Sequence, residues 1–306
     1  MGFDDWVREQ AKNVRENGLD GVRDVLYDLY AGLWWLAYPI PRGTNVYERD
    51  WDVLVILDAC RVDLLRSVAD EYGFIGEGNV DRVESVGSMS KEWMAKTFDD
   101  GHADEVSDTV YVTANVFSER ILDDDDFLKL DEVWRYAWDD EKGTVLPRPV
   151  TDRAVQAARE REPERLIVHY VQPHHPFLSV DGFEAATFGP DSSDTVVDAL
   201  RKGRIERDRF MSAYRDNLRA VLDDVGLLLS NVDGKVAITA DHGDALGEWG
   251  VYDHPVGFLH PAVRTVPWVE AEATDTGEHV PETWEETTRT DEDEVTDRLQ
   301  ALGYVE

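Results

Sequence analysis

Short apolar segments of β type alternate along this chain with segments of helical periodicity. The apolar segments cover residues 51–57, 81–86, 109–114, 166–172 and 235–240, and the helical segments cover residues 59–70, 90–98, 151–161 and 205–230. Such alternation is typical of a sheet that carries helices on both faces. It predicts an α/β fold with a large, mostly parallel central sheet.

The length and composition are those of one large domain. The chain has 306 residues, of which 42% are hydrophobic, and this is enough to build a sizeable core. We expect a helical arm over residues 1–44, a catalytic α/β core over residues 45–270, and an acidic loop followed by a helix over residues 271–306. The prediction of this last helix rests on the acidic residues at its start and on Gly303 at its end.

The N-terminal arm has the pattern of a single helix over residues 3–38, which Pro39 and Pro41 end. Its apolar side chains form a stripe at helical spacing, namely Val22, Val25, Leu26, Leu29, Leu33 and Leu36. We expect this stripe to pack on the core. The alternative is that the end with Trp34 and Trp35 lies in a membrane interface. The apolar stretch is shorter than the ~20 residues that a membrane span needs, so no transmembrane helix is predicted.

The composition is strongly acidic. Asp and Glu number 65 against 31 Lys and Arg, which gives a formal charge of −34, and seven of the basic residues are Lys. Self-repulsion of this size is tolerable where salt screens charges beyond about 3 Å, as at 1 M. We therefore expect a halophilic, archaeal protein; an acidic mesophilic protein is the alternative. A nucleic acid partner is not expected, because binding to phosphate backbones requires a basic stripe.

The location of the protein follows from two sequence features. No N-terminal segment combines a basic region, an apolar region and a cleavage site, and the single cysteine excludes a framework of internal disulfides. We expect a cytoplasmic protein, and peripheral contact with a membrane through the N-terminal arm is the alternative.

Histidines and aspartates gather where the predicted strands end. Six of the eight histidines lie in residues 168–177 and 239–260, each of which begins in an apolar run. Asp58 likewise stands at the end of an apolar run. Since parallel strands end at one edge of a sheet, carboxylates and imidazoles from distant segments can meet there, as a metal-centred active site requires.

Asp58, Asp241 and His242 are the predicted metal ligands. Two carboxylates and one imidazole suit a divalent ion such as Zn²⁺, Mn²⁺ or Ca²⁺. Adjacent residues on a strand point to opposite faces, so Asp241 and His242 converge only if the strand has ended, and Gly243 allows that turn. The alternative is a simple turn in which the aspartate caps the backbone.

Five sequence segments resemble motifs of the sulfatase and alkaline phosphatase superfamily. In chain order they are VLVILDACRVD, YVQPHHPF, AYRDNLRAVLDDVGLLL, AITADHGDALGEWG and LQALGY, and with the turn SVGSMSKEW they span roughly residues 45–306. The resemblance implies an alkaline phosphatase-like fold and a metal-dependent enzyme that acts on phosphate or sulfate esters.

The resemblance also implies a nucleophile on the turn after the second strand. SMSKEW is similar to the T-S-D-S-E-F segment of the envelope transferase branch, which places Ser88 at the threonine. Ser88 is therefore the expected nucleophile and a metal ligand, and Ser90 is the alternative. A further alternative is that both serines only cap the helix that begins near Lys91.

True sulfatases carry a cysteine that becomes formylglycine, within C-x-P-S-R or C-x-A-x-R. Cys60 lies outside any such motif, and we expect it to be a small buried side chain. A serine nucleophile favours a hydrolase of phosphate or sulfate esters, with a small molecule or glycan as substrate. The alternatives are a transferase that moves a phospho-substituent onto envelope glycans or lipids, and a non-catalytic binding protein.

His174 and His254 are the expected partners of the nucleophile. Either could protonate the leaving group, donate to the non-bridging oxygens, or hold a second metal ion. The resemblance would supply an Asp four residues before His175, where this chain has Val171, so we expect one metal ion. His169, inside a strand, is expected to be packed.

Two further residues are candidates for substrate binding. Asn115 could donate its amide to the transferred group, as an Asn does in some relatives, or it could form a turn. Arg61 could clamp a phosphate or could pair with a carboxylate.

Overall fold

A seven-stranded sheet forms the centre of the protein. The computed structural model describes residues 8, 10–15, 18–38, 42–76, 78–178, 195–284 and 291–304. The strands of the sheet are Val53–Leu57 (β1), Asp81–Glu84 (β2), Thr109–Thr113 (β3), Lys129–Glu132 (β4), Arg165–Tyr170 (β7), Gly234–Thr239 (β8) and Thr265–Ala273 (β11). Two small sheets pair Trp138–Asp139 (β5) with Thr144–Val145 (β6), and Ala245–Leu246 (β9) with Tyr252–Asp253 (β10).

The order of the sheet is β2-β11-β8-β1-β7-β3-β4. The neighbours from β8 to β4 are all parallel, whereas β11 is antiparallel to both β8 and β2. Six strands therefore run in one direction. Every residue of β1 and β3 is buried, so both faces of the sheet are covered. The predicted α/β fold with a mostly parallel sheet is confirmed.

Helices of very different lengths connect these strands. They are Leu19–Gly32 (α1), Val62–Arg66 (α2), Ser90–Thr97 (α3), Ala103–Ser107 (α4), Ser118–Ile121 (α5), Pro147–Arg161 (α6), Val196–Arg201 (α7), Arg207–Leu229 (α8), Pro261–Arg264 (α9) and Glu292–Ala301 (α10). α6 packs against α8 and against β7. It begins four residues before its predicted start, because Pro147 and Pro149 suit the first turn of a helix.

The N-terminal arm is not one continuous helix. Residues 10–15 are helical, Gly18 has a φ of 59°, and α1 follows and continues as a 3-10 helix over Leu33–Ala37. A Cβ on Gly21 would lie 2.5 Å from the carbonyl oxygen of Asn13, so the two helical segments cross closely. The single helix predicted over residues 3–38 is wrong where the structure describes it, and residues 3–7, 9, 16 and 17 lie outside the described part.

The arm contacts the core, but through a different face from the one predicted. The hydroxyl of Tyr27 donates to the carbonyl of Tyr252 at 2.8 Å, and Trp34 stacks on Trp249 with ring centroids 5.7 Å apart. The predicted stripe is exposed instead, with Leu26 61% and Leu33 62% accessible. The prediction that this stripe packs on the core is therefore wrong.

The C-terminal part follows the prediction. Residues 274–284 have no regular secondary structure, and α10 ends in a turn in which Gly303 has a φ of 85°. Residues 285–290 of the predicted loop lie outside the described part. The division at residues 44 and 270 stays a prediction. Within the described residues, no helix has both the length and the apolarity needed to cross a bilayer.

Candidate metal centre

Several strands deliver polar residues to one edge of the sheet. Asp58 follows β1 directly, Asn115 lies two residues after β3, and Asp241 lies two residues after β8. The backbone takes a left-handed φ of 58° at Ala59, directly after Asp58. Gly243 has no left-handed φ, and glycine is required there because a Cβ would lie 2.2 Å from the carbonyl oxygen of Ala262. Asp58 and Asp241 meet at this edge as predicted, but close packing at Gly243 replaces the backbone freedom that the sequence suggested.

Asp58, Asp241 and His242 converge in the buried interior. His242 Nε2 lies 3.4 Å from Asp58 Oδ1 and 3.4 Å from Asp241 Oδ2. One ligand atom from each residue falls within 4.8 Å of the others. Asp241 Oδ1 is already occupied, since it accepts from the backbone N–H of Ala59 at 3.2 Å and of His242 at 2.9 Å.

These residues fit a divalent cation. Asp58 Oδ1 and Asp241 Oδ2 are buried and accept no hydrogen bond. His242 Nδ1 lies 2.8 Å from the carbonyl oxygen of Gly243, so this nitrogen carries the proton and Nε2 presents its lone pair to the two carboxylates. Two carboxylate oxygens that accept no hydrogen bond and one imidazole lone pair together form a suitable ligand set for a divalent cation.

The structure brings Ser90 to this cluster. Ser90 is the first residue of α3, and its Oγ lies 3.3 Å from Asp58 Oδ2 and 3.4 Å from His242 Nε2. Its side chain is fully buried. The hydroxyl therefore adjoins both a carboxylate and the imidazole that would hold a metal ion.

Ser88, the expected nucleophile and metal ligand, is engaged elsewhere. Its hydroxyl donates to Glu92 Oε2 at 2.6 Å and accepts from the backbone N–H of Gly257 at 2.8 Å, and it lies 3.0 Å from the carbonyl oxygen of Pro255. Glu92 is also paired with Lys96 at 2.6 Å. Ser88 thus joins α3 to the loop that follows His254, and the structure does not place its hydroxyl among the metal ligands.

The two residues expected to bind substrate hold protein carboxylates instead. Asn115 Nδ2 donates to Asp58 Oδ2 at 2.9 Å. Arg61 donates twice to Asp63, at 2.8 and 2.9 Å, and also to Glu248 Oε1 at 2.9 Å and to the carbonyl of Asp244 at 2.6 Å. Of the readings that the sequence left open for Arg61, the ion pair is the one observed.

His174 and His254 lie buried beside the same cluster. The ring of His254 lies 4.4 Å from that of His242 and 5.2 Å from that of His174, measured between centroids. His174 Nδ1 lies 2.6 Å from the carbonyl oxygen of His175, so its buried Nε2, which has no partner, presents a lone pair. The structure therefore brings both predicted catalytic histidines to the site.

His254 belongs to a second acidic group. Its Nδ1 lies 2.6 Å from Asp253 Oδ1 and 3.7 Å from Asp244 Oδ1. Burial disfavours its charged form, but the charges of Asp253 and Asp244 prevail and hold the pKa of His254 well above its ordinary value. A proton on His254 offsets one of the two carboxylate charges of this group, and the same atoms could hold a second cation.

Sequence reasoning missed three residues at the site. Asp244 and Asp253 flank the predicted ligands, and Tyr304 packs its ring parallel to that of His174, with centroids 5.5 Å apart. The LQALGY motif contained Tyr304 but gave no sign of this contact. His169 is buried as predicted, with its Nε2 3.7 Å from Asp241 Oδ2, and Cys60 is also buried as predicted.

No model of a known protein family matches this sequence, and no curated protein matches it. Solved structures with a similar fold are phosphoethanolamine transferases and sulfatases. The soluble domain of lipooligosaccharide phosphoethanolamine transferase A from Neisseria meningitidis is 16% identical, with a TM-score of 0.48, over 74% of this chain and 77% of that one.

Two further structures are similar to this chain at comparably low sequence identity. A 2-O GAG sulfatase is 14% identical, with a TM-score of 0.48, over 72% of this chain and 63% of that one. The C-terminal periplasmic domain of EcEptC from Escherichia coli, determined in complex with Zn, is 13% identical, with a TM-score of 0.39, over 77% of this chain and 76% of that one.

Proposed function

We propose that this protein is a metal-dependent hydrolase of phosphate or sulfate esters with Ser90 as its nucleophile. The observation that carries the proposal is the position of Ser90 Oγ, 3.3 Å from Asp58 Oδ2 and 3.4 Å from His242 Nε2. Asp58, Asp241 and His242 would hold one divalent ion. When bound, that ion would lower the pKa of the Ser90 hydroxyl and offset charge on the transferred group.

The reaction has two steps. Ser90 Oγ passes its proton to Asp58 Oδ2, to which it donates at 3.3 Å, and forms a bond to phosphorus or sulfur while the bond to the ester oxygen breaks. Water then attacks the seryl ester, the bond from Ser90 Oγ to phosphorus or sulfur breaks, and the proton returns from Asp58 to Ser90 as phosphate or sulfate is released. Asn115 contributes by fixing Asp58, because its amide donates to Asp58 Oδ2 at 2.9 Å.

The two histidines are suited to different proton transfers. His254 carries a proton that Asp253 stabilises, so its Nε2–H can protonate the departing ester oxygen. His174 presents an unprotonated Nε2, because its Nδ1 faces the carbonyl oxygen of His175 at 2.6 Å. His174 can therefore accept the proton of the attacking water in the second step.

The test of the proposal is the identity of the modified residue. The metal-loaded enzyme is incubated in high salt with aryl phosphate, phosphodiester and aryl sulfate substrates, quenched during turnover, and mapped by mass spectrometry. An adduct on the peptide that contains Ser90, absent from Ser90→Ala and retained in Ser88→Ala, supports the proposal. An active Ser90→Ala enzyme without any seryl adduct would show that another group attacks.

A second candidate function is the transfer of a phospho-substituent to an envelope glycan or lipid. It is favoured by the position of the N-terminal arm, whose Trp34 contacts Trp249 and Phe258 on either side of His254 in the chain. The opposite face of the arm exposes Leu26, Leu33 and other apolar side chains. We propose that this face contacts a membrane beside the active site, where an acceptor lipid would lie.

Vesicle flotation tests the membrane contact. The protein should float with neutral phospholipid vesicles in 2 M KCl, where salt screens its negative charge. Leu26→Ser combined with Leu33→Ser should abolish flotation. Leu128→Ser, which changes an exposed leucine outside the N-terminal arm, should not. Equal flotation of all three proteins would refute the contact. Free phosphate as the sole phosphorus product in the presence of vesicles would favour the hydrolase.

A further inference from the structure

The proposed reaction needs donors for the oxygens of the transferred group, and the predicted donors are engaged. Asn115 donates to Asp58, and Arg61 donates to Asp63, Glu248 and the carbonyl of Asp244. His174 presents a lone pair rather than a proton at Nε2. Beyond the ion that Asp58, Asp241 and His242 would hold, a hydrogen-bond donor for the non-bridging oxygens has to come from another residue.

Tyr304 has the position and the phenol hydroxyl that this role requires. Its phenol oxygen is buried and makes no hydrogen bond of good geometry, and the side chain of Ser90 lies close enough to it to lower its pKa. Its ring is parallel to that of His174 at 5.5 Å and lies 5.7 Å from that of His254. Tyr304 therefore packs against both histidines that the proposed reaction uses.

The surrounding structure fixes this tyrosine. The backbone N–H of Tyr304 donates to the carbonyl of Leu299 at 2.9 Å, and Phe117 packs edge-on against its ring at 4.6 Å. Gly303 has a φ of 85°, and a Cβ there would lie 2.5 Å from Cε1 of His175. This turn requires glycine, and it directs the following side chain towards the histidines.

We propose that Tyr304 binds the substrate by donating its phenol hydrogen to a non-bridging oxygen of the transferred phosphoryl or sulfuryl group. The inference rests on the proposed function and adds a specificity for tetrahedral oxyanions to it. Burial raises the pKa of Tyr304 well above its ordinary value, and the charges of Asp58 and Asp241 raise it further. The side chain of Ser90 acts in the opposite direction without reversing the shift, so the phenol keeps its proton near neutral pH.

The inference is tested with Tyr304→Phe, which removes only the hydroxyl. The metal-loaded protein is titrated calorimetrically with inorganic phosphate, and kcat/KM is measured with an aryl phosphate. A hydrogen bond to a charged oxygen is typically worth more than a tenfold change, so phosphate should bind at least about 10-fold more weakly and kcat/KM should fall by about 10- to 100-fold. Metal content and melting temperature should not change.

Two further variants make the result specific. Tyr47→Phe removes another buried hydroxyl, which lies 3.0 Å from Thr109 Oγ1 at the start of β3 and far from the cluster, and it should leave phosphate binding unchanged. Gly303→Ala keeps the phenol but displaces it, so it should weaken phosphate binding as Tyr304→Phe does.

The outcomes separate this inference from the proposed function. A wild-type protein that turns over esters and binds phosphate, with a Tyr304→Phe variant equal to it in both assays, would overturn the inference alone. A wild-type protein that binds metal but neither binds phosphate nor turns over any ester would overturn the proposed function and this inference together.

Discussion

Replacing Ser88 with alanine should destabilise the protein while leaving the chemical step intact. The Ser88 hydroxyl has three buried contacts, with Glu92 Oε2 at 2.6 Å, the N–H of Gly257 at 2.8 Å and the carbonyl of Pro255 at 3.0 Å. A hydrogen bond to a charged group contributes about 1.5–3 kcal/mol. The N–H of Gly257 keeps a longer contact with Glu92 at 3.3 Å, so we expect a total loss of about 2–3 kcal/mol.

That loss corresponds to a measurable change in melting temperature. An unfolding entropy of about 2.1 cal/mol/K per residue gives about 0.64 kcal/mol/K for the 306 residues of the chain. Ser88→Ala should therefore melt about 3–5 °C below the wild type. Ser90→Ala loses only contacts of 3.3 and 3.4 Å, so its melting temperature should stay within about 1 °C of the wild type.

The assay is differential scanning calorimetry in parallel with steady-state kinetics on both metal-loaded variants. Ser88→Ala should keep activity within about 10-fold of the wild type, while Ser90→Ala should lose several orders of magnitude. The reverse pattern, an inactive Ser88→Ala protein with an unchanged melting temperature, would refute the assignment of the two serines.

Three further outcomes are expected. Asp58→Asn and Asp241→Asn should each lose most of the bound metal, as measured by elemental analysis, and their far-UV circular dichroism should stay unchanged. Full metal occupancy in both variants would contradict the ligand set. The melting temperature should rise by several degrees between 0.1 and 2 M KCl, because the formal charge of −34 is then screened, and a flat response would contradict halophilic adaptation. The charge of Asp253 raises the pKa of His254, so kcat/KM should fall as the pH rises through that pKa. Asp253→Asn should shift this alkaline decrease in the pH profile to lower pH. A decrease at an unchanged pH would exclude His254 as the acid.

The central strands were predictable from the sequence, and two outer ones were not. β1, β3, β7 and β8 each contain a run of mainly apolar residues, because most of their residues are buried on both faces of the sheet. β4 has the sequence KLDE, which is too polar to resemble a strand, and it lies at the edge of the sheet. β11 contains Pro267 and ends in the sequence VEAEA, so its antiparallel pairing depends on the strands beside it rather than on its own pattern.

The convergence of the candidate metal ligands was predictable because their positions follow from local sequence. An aspartate at the end of a buried strand must lie at the edge where the other parallel strands end, and this holds for Asp58 and Asp241 alike. The two serines could not be ranked in the same way. Both follow β2, and the choice depends on where the next helix begins, which is Ser90 rather than Lys91.

The roles of Asn115 and Arg61 show what a sequence pattern leaves open. Both have the chemistry to bind an oxyanion, and the sequence also allowed a turn at Asn115 and an ion pair at Arg61. Their actual partners come from distant segments: the amide of Asn115 meets Asp58, and Arg61 meets Glu248. A carboxylate buried at a metal site must be held in place before it can bind a cation. These donors therefore fix protein carboxylates, and Tyr304, to which we assign the binding of substrate oxygens, is brought to the cluster by long-range packing that its local sequence does not reveal.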